Sequence, residues 1–310
     1  MPASAIFASH TPLKDFCSPG DEIEAAVDEA LSALRTGVAA FNPDLVVAIG
    51  PDHFNGFFYR AMPGFCVGTE AMSVGDWNTP GGPLPVDARV AADLVDALLK
   101  ADLDPAISHR MDLDHGFTQL LTQVFDWAQL PPVVPIFINC AAPPRPPVRR
   151  VVQFGRVLGE FLKAYTGRVL VTASGGLSHD PPIPSLDSAP PPVRERLIAG
   201  GSWTADERAA RQERVLAEAR KQSDGVSDRR ELNPEWDQQI IEHLVNHDFD
   251  TLQQMTDDAI TANGGCGGHE IRTWIMAAAA AEALGIASYE VLHYRAIPEW
   301  VAGYGIMRTM

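Results

Sequence analysis

The sequence predicts an α/β fold: a central, mostly parallel or mixed sheet flanked by helices on both faces, with a helical C-terminal third. Three observations predict it. Short β-branched runs bounded by Gly, Pro, Asn or Asp recur through the first half of the chain. Longer amphipathic runs separate them, and strand–helix alternation on this scale builds open sheets covered on both sides. From residue 204 onward the strand-like runs give way to charged and Ala-rich helical segments.

The strands come first in the argument because their pattern is the plainest. Residues 3–8 (ASAIFA), 44–50 (DLVVAIG), 132–138 (PVVPIFI) and 168–174 (RVLVTAS) are continuous apolar runs, as expected of strands buried on both faces. Residues 21–40, 86–101 and 150–165 carry the helical period between them. Further on, 204–222 reads as a charged helix, 236–262 as two short helices, and 268–285 (GHEIRTWIMAAAAAEALG) as an Ala-rich buried helix. The Pro-rich stretch 181–192 (PPIPSLDSAPPP) is a loop. It could link two domains, but the motif-bearing helix beyond it returns to the same site. One domain over residues 1–310 is therefore expected. The aromatics of the tail, IPEWVAGYG, are expected in the core rather than at an interface.

Composition narrows the function. The 310 residues carry 24 Lys+Arg against 40 Asp+Glu, a net charge of -16. An acidic surface repels phosphate backbones and anionic lipid, so neither nucleic acid nor a membrane is an expected partner. No run reaches the length of a bilayer span, and MPASAIFASH lacks the pattern of a secretory signal. Cys17, Cys66, Cys140 and Cys266 are scattered without short pairing, which fits reduced thiols in the cytoplasm.

Four of the nine histidines share one structural address. His10 follows the first strand in IFASHTPL, His53 the second in VVAIGPDHFNGFF, and His179 another in VLVTASGGLSHDPP. His115, in MDLDHGF, sits where an irregular stretch begins a helix. Open α/β sheets bind ligands beyond the carboxyl ends of their strands. One such histidine alone reads as an ordinary loop residue; four do not. His109, His243, His247 and His293 lack the Gly and Pro punctuation and read as structural or solvated. Two histidines and a carboxylate form the facial triad of non-haem Fe(II), which leaves positions open for substrate and dioxygen. Glu270, in GGCGGHEIRTW, is the carboxylate candidate. From local sequence it reads equally well as a first-turn helix glutamate, and His269 competes with it as a ligand.

Read together, ASHTPL, LVVAIGPDHFNGFFYRAMPGFC, DLDHGF, PVVPIFIN, SGGLSHDPP, LNPEWDQQ, HEIRTWIMA and YRAIPEWVAGYG resemble the class III extradiol ring-cleavage dioxygenases over nearly the whole chain. That superfamily includes the protocatechuate 4,5-dioxygenase catalytic subunit. The resemblance implies that His10, His53 and Glu270 hold Fe(II), and that His115 and His179 are acid–base groups, with His179 read as base and His115 as acid. It implies cleavage of a 3-substituted catechol, such as 2,3-dihydroxyphenylpropionate, with O2 to a 2-hydroxy-6-oxo-dienoate. It also implies a homo-oligomer. Asp52 and Asp114, each directly before a histidine, are candidate orienting partners or loop caps. A propionate side chain calls for an arginine, for which Arg272 and Arg295 are candidates. An apolar substituent could instead meet Phe54, Phe57 and Phe58, although as an aromatic cluster these read first as core. Two rival readings use the same donors: a zinc-dependent hydrolase, and a non-catalytic binding or redox protein of this fold.

Overall fold

The structure is a computed structural model that describes residues 2–201 and 203–309. Its strands are β1 (Ala3–Ala8), β2 (Leu45–Gly50), β3 (Phe65–Gly68), β4 (Ala71–Val74), β5 (Gly81–Pro83), β6 (Ala106–Ser108), β7 (Met111–Leu113), β8 (Val133–Ile138), β9 (Val169–Ser174), β10 (Tyr289–Ile297) and β11 (Ala302–Thr309). Its helices are α1 (Asp21–Phe41), α2 (Ala88–Lys100), α3 (His115–Val124), α4 (Val148–Leu162), α5 (Pro191–Ala199), α6 (Ala205–Ser223), α7 (Pro234–Val245), α8 (Phe249–Gln253), α9 (Asp257–Gly264) and α10 (Ile271–Ala283).

Eight strands form one mixed sheet in the order β10-β11-β1-β9-β2-β8-β3-β6. Its centre, β1-β9-β2-β8, is parallel throughout. Every residue of β2, β8 and β9 is buried, which is why each reads as an unbroken apolar run. Alternate side chains feed two cores. Val47, Ile49, Val134, Ile136, Val171 and Ala173 pack with α2, α4 and α10 on one face. Val46, Ala48, Phe137 and Leu170 pack with α1 and α3 on the other. On the first face α4 and α10 come unusually close. A Cβ on Gly155 or Gly159 would collide with the backbone of Met276 or Ala280, so only glycine admits the Ala-rich helix.

The expected strands and long helices are present, with three differences. Residues 236–262 form three short helices, because Asp248 and Thr256 each cap a fresh start. The C-terminal third is helical as far as Ala283 and then closes in the antiparallel hairpin β10–β11, which pairs back onto β1. Trp300 and Tyr304 of that hairpin are core residues. Between β2 and α3 lies a small sheet, β5-β4-β7, whose Gly-rich and three-residue strands are too short to show a period. No helix among the described residues is long and apolar enough to cross a membrane.

Candidate metal centre and active site

The order β1-β9-β2 places three histidine loops side by side at the carboxyl edge of the sheet. His10 leaves β1, His179 follows β9, and His53 follows β2. The 3-10 turn Gly268–Glu270, which leads into α10, brings Glu270 beneath them. His10 Nε2 and His53 Nε2 lie 3.4 Å apart. Glu270 Oε1 is 3.2 Å from His53 Nε2 and 3.5 Å from His179 Nε2, and its Oε2 is 3.5 Å from His10 Nε2. All five histidine and glutamate side chains named from sequence thus meet at one place, since the His115 ring stacks on His53 at 4.4 Å with 19° between planes.

Each imidazole is held by its other nitrogen. His10 Nδ1 lies 3.1 Å from Ser174 Oγ, at the end of β9. Asp114 Oδ2 accepts the His53 backbone N–H at 2.8 Å and lies 3.1 Å from His53 Nδ1. Asp76 accepts both the backbone N–H of His115, at 2.8 Å, and its Nδ1–H, at 2.7 Å. His179 Nδ1 is 3.0 Å from Leu177 O. Glu270 Oε2 accepts the Gly176 N–H at 2.8 Å. Partners of this kind fix the ring and turn the Nε2 atoms to a common point.

The orienting carboxylates differ from the sequence expectation. Asp114 serves His53 rather than the His115 that follows it, and caps α3 through Gly116 N–H. Asp52 serves no histidine ring; it accepts the backbone N–H groups of Asn55, Gly56 and Phe57 and shapes the loop. Asp76 was not legible, lying 39 residues from His115 on a different turn. His269 is no competitor for the site: its Nε2 meets Thr261 Oγ1 at 2.8 Å and its Nδ1 meets Arg272 Nη1 at 2.7 Å. His109 pairs with Thr69 and His243 with Asp248, while His247 packs on Tyr289 and His293 lies near Tyr304.

Electrostatics suits a cation. Burial, only partly offset by Glu270, pulls His10 down to about 3, so it is a neutral donor at physiological pH. Burial would raise Glu270, but His10 and His179 outweigh it and hold the carboxyl well below its usual range. Burial likewise opposes the shift at Asp114, where His53 and His115 prevail and keep it ionised. His53 and His179 are raised despite burial, His53 chiefly by Asp114 and His179 chiefly by Glu270. Asp52 is pushed up to about 7 by burial and by the neighbouring Asp114.

The donor set therefore fits a divalent metal. Two imidazoles and an anionic carboxylate converge, and each has a partner fixing its far atom. A second trio also converges, since nitrogens of His10, His53 and His115 lie within 4.8 Å of one another. The stacking disfavours it. Rings stacked 4.4 Å apart with 19° between planes direct their in-plane lone pairs side by side rather than toward one shared point.

The histidines line a cavity of about 360 Å³. Its walls come from Phe54, Phe58 and Trp77, from the Pro181–Pro184 stretch, and from α5 and α6. The Pro-rich loop is thus a wall of the site. Phe57 stacks on Phe137 at 3.8 Å in the core, so the aromatic trio divides between cavity and core. Arg272 is fully buried and bound to Pro146 O and Asp257, and neither it nor Arg295 lines the cavity. The cavity's arginines are Arg196, Arg211 and Arg214, on helices whose charged sequence resembles any solvated face.

Residues 4–305 match the family model described as the catalytic LigB subunit of aromatic ring-opening dioxygenase. The chain is 45% identical over 309 residues to a Cupriavidus pinatubonensis protein named 2,3-dihydroxyphenylpropionate/2,3-dihydroxicinnamic acid 1,2-dioxygenase, covering 100% of this chain and 98% of the relative. Proteins of the same name from Paraburkholderia xenovorans (46% over 309 residues, 100% and 98% covered) and Mycolicibacterium smegmatis (44% over 306 residues, 99% and 98% covered) are similar throughout. Among solved structures, the uncharacterized Escherichia coli K12 protein JW3007 aligns with a TM-score of 0.51 at 16% identity over 98% of both chains, a likeness of fold.

Proposed function

Because the chain belongs to the family of catalytic LigB subunits of aromatic ring-opening dioxygenases, we propose that it cleaves a 3-substituted catechol, such as 2,3-dihydroxyphenylpropionate, with Fe(II) and O2. The product of that extradiol reaction is a 2-hydroxy-6-oxo-dienoate. The observation that supports the reading is the convergence of His10 Nε2, His53 Nε2 and the Glu270 carboxylate to separations of 3.2–3.5 Å beside two further histidines. In this reading those three side chains are the metal ligands. Fe(II), when bound, supplies Lewis acidity toward the catechol oxygens and an electron path between ring and dioxygen.

His179 is the base. With Nδ1–H donated to Leu177 O, the ring presents the Nε2 lone pair, which takes a proton from a catechol hydroxyl. His115 is the acid. Asp76 accepts its Nδ1–H, which leaves Nε2 as the atom that would deliver a proton as the ring opens. Phe54, Phe58 and the proline wall give the reacting face an apolar lining. A binding or redox protein needs no such pair. The reading takes residues 1–310 as one catalytic domain in a cytoplasmic homo-oligomer, in keeping with four free cysteines.

The test is anaerobic reconstitution with Fe(II), followed by 2,3-dihydroxyphenylpropionate and air. A yellow ring-fission chromophore with matching oxygen uptake is expected. Its absence with every 3-substituted catechol, in protein shown to contain Fe(II), would sink the reading; oxygen-independent turnover with zinc would favour a hydrolase.

A further inference from the structure

The wall of the cavity built by α5 and α6 has a chemistry of its own. In a chain of net charge -16, it presents Arg196, Arg211 and Arg214 against one carboxylate, Glu207. Arg211 reaches toward the metal centre, donating through Nη2 to His53 O at 2.6 Å and through Nη1 to Asn55 Oδ1 at 3.4 Å. The Arg196 guanidinium lies 3.5 Å from the centre of the Trp203 ring, and that of Arg211 lies 5.3 Å from the same ring. Arg196 Nη2 donates to Gly201 O at 3.0 Å, and Nη1 sits 3.5 Å from Glu207 Oε1.

Two donors remain. Arg196 Nε and Trp203 Nε1 are both buried, and neither has a hydrogen-bond partner among the described residues. A buried donor left unpaired is costly and calls for an explanation. Both residues line the cavity and stack on one another, so a carboxylate that entered beside the pair and parted it slightly would offer an oxygen to each donor. Phe54, Phe58 and Leu197 line the same cavity and give it an apolar surface fit for methylenes.

We propose that Arg196 Nε–H and Trp203 Nε1–H, with Arg211 alongside, bind the carboxylate at the end of the substrate's side chain and select for 3-substituents that carry one. The proposal rests on the reading of the site as a catechol dioxygenase. It assigns the specificity that Arg272 and Arg295 cannot supply.

The test compares 2,3-dihydroxyphenylpropionate with the uncharged 3-propylcatechol in the iron-loaded enzyme. Arg196→Met is expected to lower kcat/KM for the acid by about ten- to a hundredfold, through KM, while the neutral catechol changes by less than about twofold. Arg196→Lys keeps the charge without Nε and falls between. Trp203→Phe keeps the ring without the N–H and loses about three- to tenfold on the acid alone. Equal losses on both substrates, or none, overturn the proposal. Calorimetric titration of the metal-free protein with 3-phenylpropionate supplies a second readout, in which Arg196→Met weakens binding. If iron-loaded protein opens neither catechol yet binds 3-phenylpropionate through Arg196, the dioxygenase reading falls and the anion site stands. If both catechols are cleaved without regard to Arg196, the reading stands and the anion site falls.

Discussion

Asp114 holds His53 across 61 residues of sequence, at its backbone N–H and at Nδ1, while the histidine next to Asp114 is held by Asp76. In the proposed reading the two orienting carboxylates therefore serve different chemistry. Asp114→Asn should weaken Fe(II) affinity by about ten- to a hundredfold, because it loosens a ligand. Asp76→Asn should leave affinity near that of the parent and lower kcat by on the order of 10²-fold, because it disturbs the proton donor. Metal titration alongside steady-state kinetics separates them. Similar iron loss in both variants would contradict the division.

The ligand and acid–base groups can be divided in the same way. His53→Ala should lose iron outright, with its Nε2 gone from the point shared with His10 and Glu270. His179→Ala and His115→Ala should retain iron and lose about 10²- to 10⁴-fold in kcat. Iron content after desalting decides it. Loss of iron from His115→Ala would favour the three-histidine trio over the one with Glu270.

Gly267 bears on His179 directly: its backbone N–H donates to His179 O at 3.0 Å, and its bare Cα faces the ring. A Cβ there would collide with the His179 ring, as would one on Gly176, so the glycines on both sides of the ring leave it one seat. Gly267→Ala is expected to fold and bind Fe(II) while kcat falls at least tenfold, since general-base geometry tolerates little displacement. The pH–rate profile should change shape as the base is displaced. An unchanged profile with unchanged kcat would show that the ring has room to move.

What could be read in the sequence follows from how local each signal is. β2, β8 and β9 were legible because burial on both faces demands continuous apolar runs. The histidine addresses were legible because strand ends in a parallel sheet share an edge. Glu270 was legible only through resemblance, since a first-turn glutamate has an ordinary use as well. Asp76 and the Asp114–His53 pair were not, because adjacency in sequence suggested other partners. Arg196 and Arg211 were hidden for another reason: on charged helices, nothing local separates a guanidinium over a cavity from one in water.

The acid limb of stability should report on His269, which lies outside the reacting groups. Burial, with Arg145 and Arg272 nearby, pushes its pKa from 6.5 down to about 2. Its Nδ1 lies 2.7 Å from the Arg272 guanidinium, a bond that a protonated ring cannot accept. Between those two pKa values the unfolded chain binds a proton that the folded chain refuses, so stability is full above the unfolded value and falls as pH drops below it. The loss is about 1.4 kcal/mol per pH unit, or about 2 kcal/mol by about pH 5. His10, also depressed, adds loss of the same sign, whereas the raised His53 and His179 act oppositely. Asp52, raised to about 7, and the depressed His293 add to the mixture, and the difference between parent and His269→Gln isolates one group. Glutamine can accept from Arg272 without titrating. Urea unfolding of both metal-free proteins at about pH 7 and about pH 5 should show the variant losing about 2 kcal/mol less over that interval. Parallel losses in the two proteins would mean that the folded His269 takes up its proton as readily as the unfolded one.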